Sequence, residues 1–524
     1  MLNKTIASLL FLALAFWACQ KTDFENVEFA DHGAEFAFPL FTTTLKMDEL
    51  MYKVLNDSLS SDTLRVNPDN TMTLIYTGDV AEKKADYIDR FLTGGYLPVE
   101  DTLFYAPFKP VDGVTIRQAN LSGGVIGVTI GNPFPQPVTG NFYIPQMTKD
   151  GKQMVIPFSL PASTLFPPTT SMEVNVAGQE LKSDNNTLFF RYEAYLPNGT
   201  RVKFPNFGTT PTVYMGFNNL TFSYLEGYWG YSVNSLTRDT IEIDINQTDL
   251  DGGVTIKSPK ITMTISNSWG FPTRGYIKYL SFIGQDGKEY PLKSTAFNND
   301  SLDFAYPSYA ANEIGQTKYT YVTLDETNSN IAEIFNAQPT RLIYDVDGIA
   351  NAKRDSSIIG FLTDQSVIRL SMKVELLLEG AAKNFGAEQT ADLNFGEYSD
   401  LDTANIESVE FKLVTENRTP ISTALQIYFQ DERGNTLDSL FTGAPKFIME
   451  SAPVGSNGTA SGVKRTETFV PMDAARFDRV RTATKARMQT YFTTADGGLK
   501  PVKLLATDQA VVKMGVKVKT RFKG

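Results

Sequence analysis

The chain has very little of what most catalytic and metal chemistry requires. Its 524 residues contain one cysteine, Cys19, and one histidine, His32. That leaves no Cys–His pair, no Ser–His–Asp set and no His/Cys cluster with metal-ligand spacing. No phosphate loop or dinucleotide fingerprint is present either. The expectation is a protein with no cofactor, no metal and no catalytic residue. A surface hydrolase remains a remote alternative, because paired carboxylates have no fixed sequence spacing. Beyond the N-terminal segment no apolar run approaches the length of a membrane span. A net charge of -11 and a pI near 4.9 argue against nucleic acid as a partner, since phosphate binding needs clustered Lys and Arg.

What is present begins with a leader. Lys4 precedes an apolar run, 6–17, too short for a permanent span, which ends at Ala18-Cys19. This pattern reads as export and processing, with residues 1–18 removed and the Cys19 thiol carrying lipid. An ordinary signal peptide with an incidental Cys19 is the alternative. The segment Phe16-Trp17-Ala18-Cys19 resembles a bacterial lipobox, with Phe16 where that motif usually has Leu. Gln20-Lys21-Thr22-Asp23-Phe24-Glu25 is similar to the Lys-then-acidic tag of Bacteroidota surface lipoproteins, with Thr22 interrupting the acidic pair. The resemblance implies an outer-membrane protein, lipid-anchored and exposed at the cell surface.

Past the leader, high aromatic, Gly, Asn and Thr usage suits a mainly β chain long enough for several cores. A polar leash containing His32, read as solvated, leads to Phe36-Ala37-Phe38-Pro39-Leu40-Phe41. Pro39 confines that stretch to an edge or a short strand. Apolar spacing over 45–55, behind Thr44, predicts a short amphipathic helix, and Asp79 is expected to cap a second one that includes Ile88 and Phe91.

From residue 111 a pattern recurs: a β-rich run, an Asn followed by Pro or Gly, a second extended run, and a Gly turn. Its copies centre on Asn132-Pro133, Asn267-Ser268-Trp269-Gly270 and Asn417-Arg418-Thr419-Pro420. The Asn residues lie 135 and 150 positions apart, about one domain each. Asp150-Gly151, Asp286-Gly287 and Arg433-Gly434 supply the turns. The fold expected is mainly β: tandem β-sandwich (immunoglobulin-like) modules with a few short helices behind a lipoprotein signal peptide. The divisions are a signal peptide 1–18, a lipid-anchored linker 19–35, an N-terminal α+β region 36–110, and modules 111–250, 251–400 and 401–524. Further strands are expected at 188–195, 212–217, 319–324 and 367–378, and short helices at 331–335 and behind Asp473 to about 482.

Four features invite a functional reading. Carboxylates two apart at Asp249/Asp251, Asp345/Asp347 and Asp400/Asp402 echo calcium loops but lack the closing Glu, so polar turns are expected. Tyr228, Trp229 and Trp269 offer flat rings that could stack on sugar, against the plainer role of packing. Asp followed by Ser or Thr and then Ala, Ile or Leu occurs at Ser58, Thr63, Thr102, Thr240, Ser301, Thr403 and Ser439. Chance would give roughly two or three such sites. The pattern is similar to the O-glycosylation acceptor of exported Bacteroidota proteins, although Asp-Ser/Thr is also good turn chemistry. Finally, Lys517, Lys519, Arg521 and Lys523 alternate with Val516, Val518, Thr520 and Phe522. That suits a last strand with one cationic face, which discourages edge pairing or, alternatively, touches anionic lipid.

Across most of its length the chain resembles uncharacterised surface lipoproteins of Bacteroidota, through Phe36–Leu40, Glu226-Gly227-Tyr228-Trp229-Gly230, the Asn267 motif and Ile427-Tyr428-Phe429. The resemblance implies no reaction or cofactor. The function expected is a non-catalytic scaffold or interaction subunit of an outer-membrane complex. Its partner would be a β-barrel or another surface protein. A glycan-binding lipoprotein of a polysaccharide-uptake system is the alternative.

Overall fold

Alternation decides the architecture. In Lys152–Leu160 the residues Met154, Ile156, Phe158 and Leu160 are buried while those between them face outward, the period-2 signature of a sheet with one wet face. The computed structural model describes residues 34–49, 63–85, 103–107, 113–164, 169–204, 213–243, 253–392 and 406–520. These are mainly β, arranged as antiparallel sheets with short helices at Ile331–Asn336 and Ala474–Arg481. The second helix starts where expected, with the Asp473 side chain accepting the Arg476 N–H. Strands at Thr187–Tyr195, Val213–Tyr228, Lys318–Leu324 and Val367–Leu377 match those predicted. The signal peptide, Cys19 and His32 lie outside the described residues.

The recurring Asn motif marks a corner. In the second copy Pro259–Asn267 lies in one five-stranded sheet and Thr273–Gly284 in another. The two sheets enclose a core that includes Leu74, Ile261, Phe282, Val322 and Leu376. In the third copy Ile406–Asn417 and Ile421–Gln430 likewise belong to facing sheets, closed over Ile427, Phe429, Val470, Met472 and Met488. Both are β-sandwiches. The first copy, Thr115–Gly131 and Val138–Lys149, belongs to a single ten-stranded sheet wrapped around the largest core. At Asp150-Gly151 both residues have positive φ, 51° and 72°, as a two-residue hairpin turn requires.

The N-terminal stretch takes a route the sequence did not announce. Ala34–Lys46 pairs with Gln509–Thr520 in the third sandwich. Met72–Lys84 pairs with Val367–Leu377 in the second, and Leu103–Pro107 with Thr187–Tyr195 in the first. The chain thus visits the third, second and first units before building them in the opposite order. Pro39 sits on the outermost strand beside a register shift, where its missing N–H interrupts no ladder on the far side.

Two helix expectations are corrected. Thr44 does not cap the first: it lies in strand, which runs to Lys46, while residues 47–49 are helical as expected and 50–55 lie outside the described residues. Asp79 caps nothing: it sits inside Met72–Lys84 as an exposed residue held by pairing with Ser371. Ile88 and Phe91 lie outside the described residues.

Candidate functional site

At each corner the Asn is fully buried, and its amide is satisfied in a recurring way. The Asn132 Oδ1 accepts the Phe134 N–H at 2.9 Å, while its Nδ2 donates to the carbonyls of Gln136 and Pro161 at 2.8 and 2.6 Å. Asn417 repeats this with the Thr419 N–H and the carbonyls of Ile421 and Glu450. Asn267 does so with the Trp269 N–H, the Thr273 hydroxyl and the Ala305 carbonyl. Each amide closes the turn behind it and ties it to a distant segment, so these residues are structural.

The aromatic candidates meet at the junction of the first two units. Trp229 stacks on Phe271 at 4.8 Å and 18°, and Trp269 packs against the same ring at 5.5 Å. Trp229 and Trp269 are 5% and 6% exposed, so neither face is open to a sugar. Of the two roles weighed for Trp229 and Trp269, packing is the one the structure shows, and Tyr228 beside them is half-buried. Gly360–Thr363 adds to the sheet of the first unit by pairing with Val213–Tyr228, and Leu362 joins that core. Nearby, burial and then the Glu226 carboxylate push the Tyr224 phenol up; its hydroxyl donates to Glu226 at 2.9 Å.

Asp345 and Asp347 were expected in a turn. They lie instead in the strand Pro339–Ala350, and Lys278 Nζ sits between them at 2.7 and 2.9 Å. A lysine occupies the position a cation would take, and the two carboxylates raise its pKa. The pairs Asp249/Asp251 and Asp400/Asp402 lie outside the described residues. Among the described residues no group of three or more His, Cys, Asp or Glu could hold a metal.

The lysines of Gln509–Thr520 are ion-paired: Lys513 with Glu416 at 3.0 Å, Lys519 with Glu407 at 3.1 Å, and Lys517 with Glu35. The cationic face is thus matched by glutamates on the strands either side, and the expected role of discouraging edge pairing is corrected, because Gln509–Thr520 lies inside its sheet. Arg521 and Lys523 lie outside the described residues.

The glycosylation candidates fall in different settings. Ser58, Thr102 and Thr403 lie outside the described residues, and Thr63 opens the strand Thr63–Val66. Thr240 is exposed on Ser232–Glu242. Ser301 and Ser439 are half-buried, their hydroxyls donating to the carbonyls of Asn298 and Phe441. Ser439 follows a carboxylate with a structural task. Asp438 receives Arg476 through Oδ1 at 3.2 Å and Arg479 through Oδ2 at 2.7 Å. Burial works against its charge, but the Ser439 N–H and the two guanidinium groups outweigh it and hold the carboxyl below its usual range.

Two cavities lie in the second unit. One of about 300 Å³ is lined by apolar Ile277, Leu280, Leu292 and Phe297 together with polar Lys293, Ser294 and Asp300. A larger groove of about 640 Å³ crosses the outer face of the sheet containing Pro259–Asn267 and is lined by Tyr321, Thr262, Thr264, Ser371, Lys373 and Asp79. This face was missed from sequence, yet a signal existed. In Lys318–Leu324 alternation puts Val322 and Leu324 inward and Tyr319, Tyr321 and Thr323 outward.

No family model and no curated protein matches the chain. Among solved structures it is similar to a protein of Parabacteroides distasonis ATCC 8503, named as a candidate secreted protein. The identity is 14% and the TM-score 0.31, over 58% of this chain and 90% of that one. It is also similar to infectious bursal disease virus of the Gx strain, at 9% identity and TM-score 0.14, over 89% of this chain and 82% of that one. A third likeness is to the cowpea mosaic virus top component, at 10% identity and TM-score 0.14, over 57% and 91%. None of these likenesses is strong enough to fix a family or a function. Among the described residues no helix is long and apolar enough to cross a membrane.

Proposed function

We propose that this chain is a non-catalytic surface lipoprotein, anchored in the outer membrane through lipid on Cys19, that serves as an interaction subunit for an outer-membrane β-barrel or another surface protein. The leader, the lipobox-like Phe16–Cys19 and the Lys21 tag support the anchor. The observation that carries the subunit reading is the doubled-back path. The first described strand, Ala34–Lys46, lies beside the last, Gln509–Thr520, in the third sandwich. A chain anchored upstream of Ala34 therefore holds the third sandwich nearest the membrane and carries the other two beyond it. The units are joined by strand pairing and shared packing, which keeps a binding surface at a defined height. Crosslinking in intact outer membranes, followed by pull-down and mass spectrometry, tests the reading. A stoichiometric membrane partner is expected, and Cys19→Ala should abolish both lipid labelling and membrane retention. Recovery of the chain alone would overturn the subunit role.

A further inference from the structure

We propose that the outer face of the five-stranded sheet in the second unit binds a neutral polysaccharide, with Tyr319 and Tyr321 as its stacking platform. The face is built by register. Tyr321, Thr264, Ser371 and Asp79 lie side by side across four strands, and Thr323, Thr262, Lys373 and Thr77 form the next row. A third row holds Tyr319, Ser266, Arg369 and Glu82. The opposite side chains of the same strands, among them Ile261, Val322, Leu324 and Leu376, fill the core. These rows therefore face outward, along the groove of about 640 Å³.

Three properties select the ligand. First, Tyr319 and Tyr321 are 54% and 66% exposed with ring planes 15° apart and centroids 6.3 Å apart. They stand on the edge strand of the sheet, where a chain that only needed solubility would place Lys or Pro. Nearly parallel rings held at neighbouring outward positions offer exposed flat apolar faces of the kind on which the C–H side of a sugar ring stacks. Second, the side-chain hydroxyls of Thr77, Thr262 and Thr264 make no hydrogen bond among the described residues, leaving donors and acceptors for the sugar hydroxyls beside that platform. Third, the charges of the three rows balance: Lys373 and Arg369 stand against Asp79 and Glu82, and Arg369 pairs with Glu82. These three rows therefore carry no net positive charge to attract a uronate or sulfated polymer, which favours a neutral chain. The strand spacing makes the face about 15 Å across, room for a few sugar units rather than one.

Native gel electrophoresis of the full processed chain tests this, with soluble β-glucan, xyloglucan, glucomannan, pullulan or xylan cast in the gel and polygalacturonate as the charged comparison. At least one neutral polymer should retard the protein, and polygalacturonate should not. Tyr319→Ala and Tyr321→Ala should each weaken retardation about tenfold, while Tyr321→Phe, which keeps the ring face, should remain within about threefold of the parent. Both tyrosines are exposed, so unchanged circular dichroism is expected and separates lost binding from lost fold. The proposal is overturned if no neutral polymer retards the parent chain, or if the Tyr319→Ala/Tyr321→Ala double variant is retarded as strongly. It is equally overturned if these substitutions instead remove a membrane partner recovered by crosslinking, which would make the face a protein contact.

Discussion

At the scale of single residues, the polar groups that matter most are buried ones with complete sets of partners. Asn417 is wholly buried and makes three hydrogen bonds. Asn417→Ala would strand two carbonyls and an N–H away from water, at a cost of about 2–4 kcal/mol. Urea denaturation should show that loss, whereas Asn198→Ala on an exposed turn should change stability by less than about 0.5 kcal/mol. Asp438 carries a pH signature. Because its folded pKa is depressed, the stability it contributes is present above the unfolded carboxyl pKa near ~4 and is lost as pH falls through the lower folded value. Asp438→Asn, which leaves Arg476 and Arg479 without their carboxylate, should therefore destabilise by about 3 kcal/mol near neutrality. The gap between variant and parent should narrow steadily as the medium is acidified below the ordinary carboxyl range. A constant gap across pH would show that the carboxylate's charge is not what holds the helix Ala474–Arg481 in place.

At the scale of elements, what was legible in the sequence was local. Alternation and turn chemistry gave most strands, the recurring corner and the Asp473 cap, because each depends on residues a few positions apart. Pairing partners were not legible: nothing within Gly360–Thr363 says that it will add to a strand some 130 residues earlier. Asp79 was misread because a carboxylate before an apolar stretch looks the same at a helix start and on the wet face of a long strand. The aromatic cluster was left open between packing and stacking for a related reason, since composition cannot separate a packed Trp from an open one. The junction that buries them makes its own prediction. A Cβ on Gly360 would lie 2.5 Å from the Trp229 ring and 2.7 Å from the Phe271 Cβ, so Gly360→Ala overpacks a site with little room to yield, at about 1–3 kcal/mol. In a chain expressed without residues 1–18, Trp229 and Trp269 are the two tryptophans, so tryptophan emission reports this junction alone. The variant should show emission shifted to the red and an earlier urea midpoint by that signal. Unchanged emission would mean that the two units are not locked here.

At the scale of the whole molecule, the doubled-back path makes the last strand an internal one. Gln509–Thr520 lies between Ala34–Lys46 and Ile406–Asn417, pairing with both along nearly its full length. Removing residues 509–524 would take out an inner strand of a four-stranded sheet, leaving Ala34–Lys46 without a partner and Ile406–Asn417 paired on one side only. Adjacency of the ends should matter where continuity does not: Ala34 faces Thr520 across one ladder position. A permuted chain with Thr520 joined to Ala34 by a short Gly linker, opened at the exposed Asn198-Gly199 turn, keeps every pairing. It should melt within a few degrees of the parent, whereas the truncated chain should lose the third sandwich's cooperative transition in calorimetry. If the truncated chain kept that transition, Gln509–Thr520 would not be integral to the third sandwich, and its pairing with Ala34–Lys46 would not be what holds the first strand there.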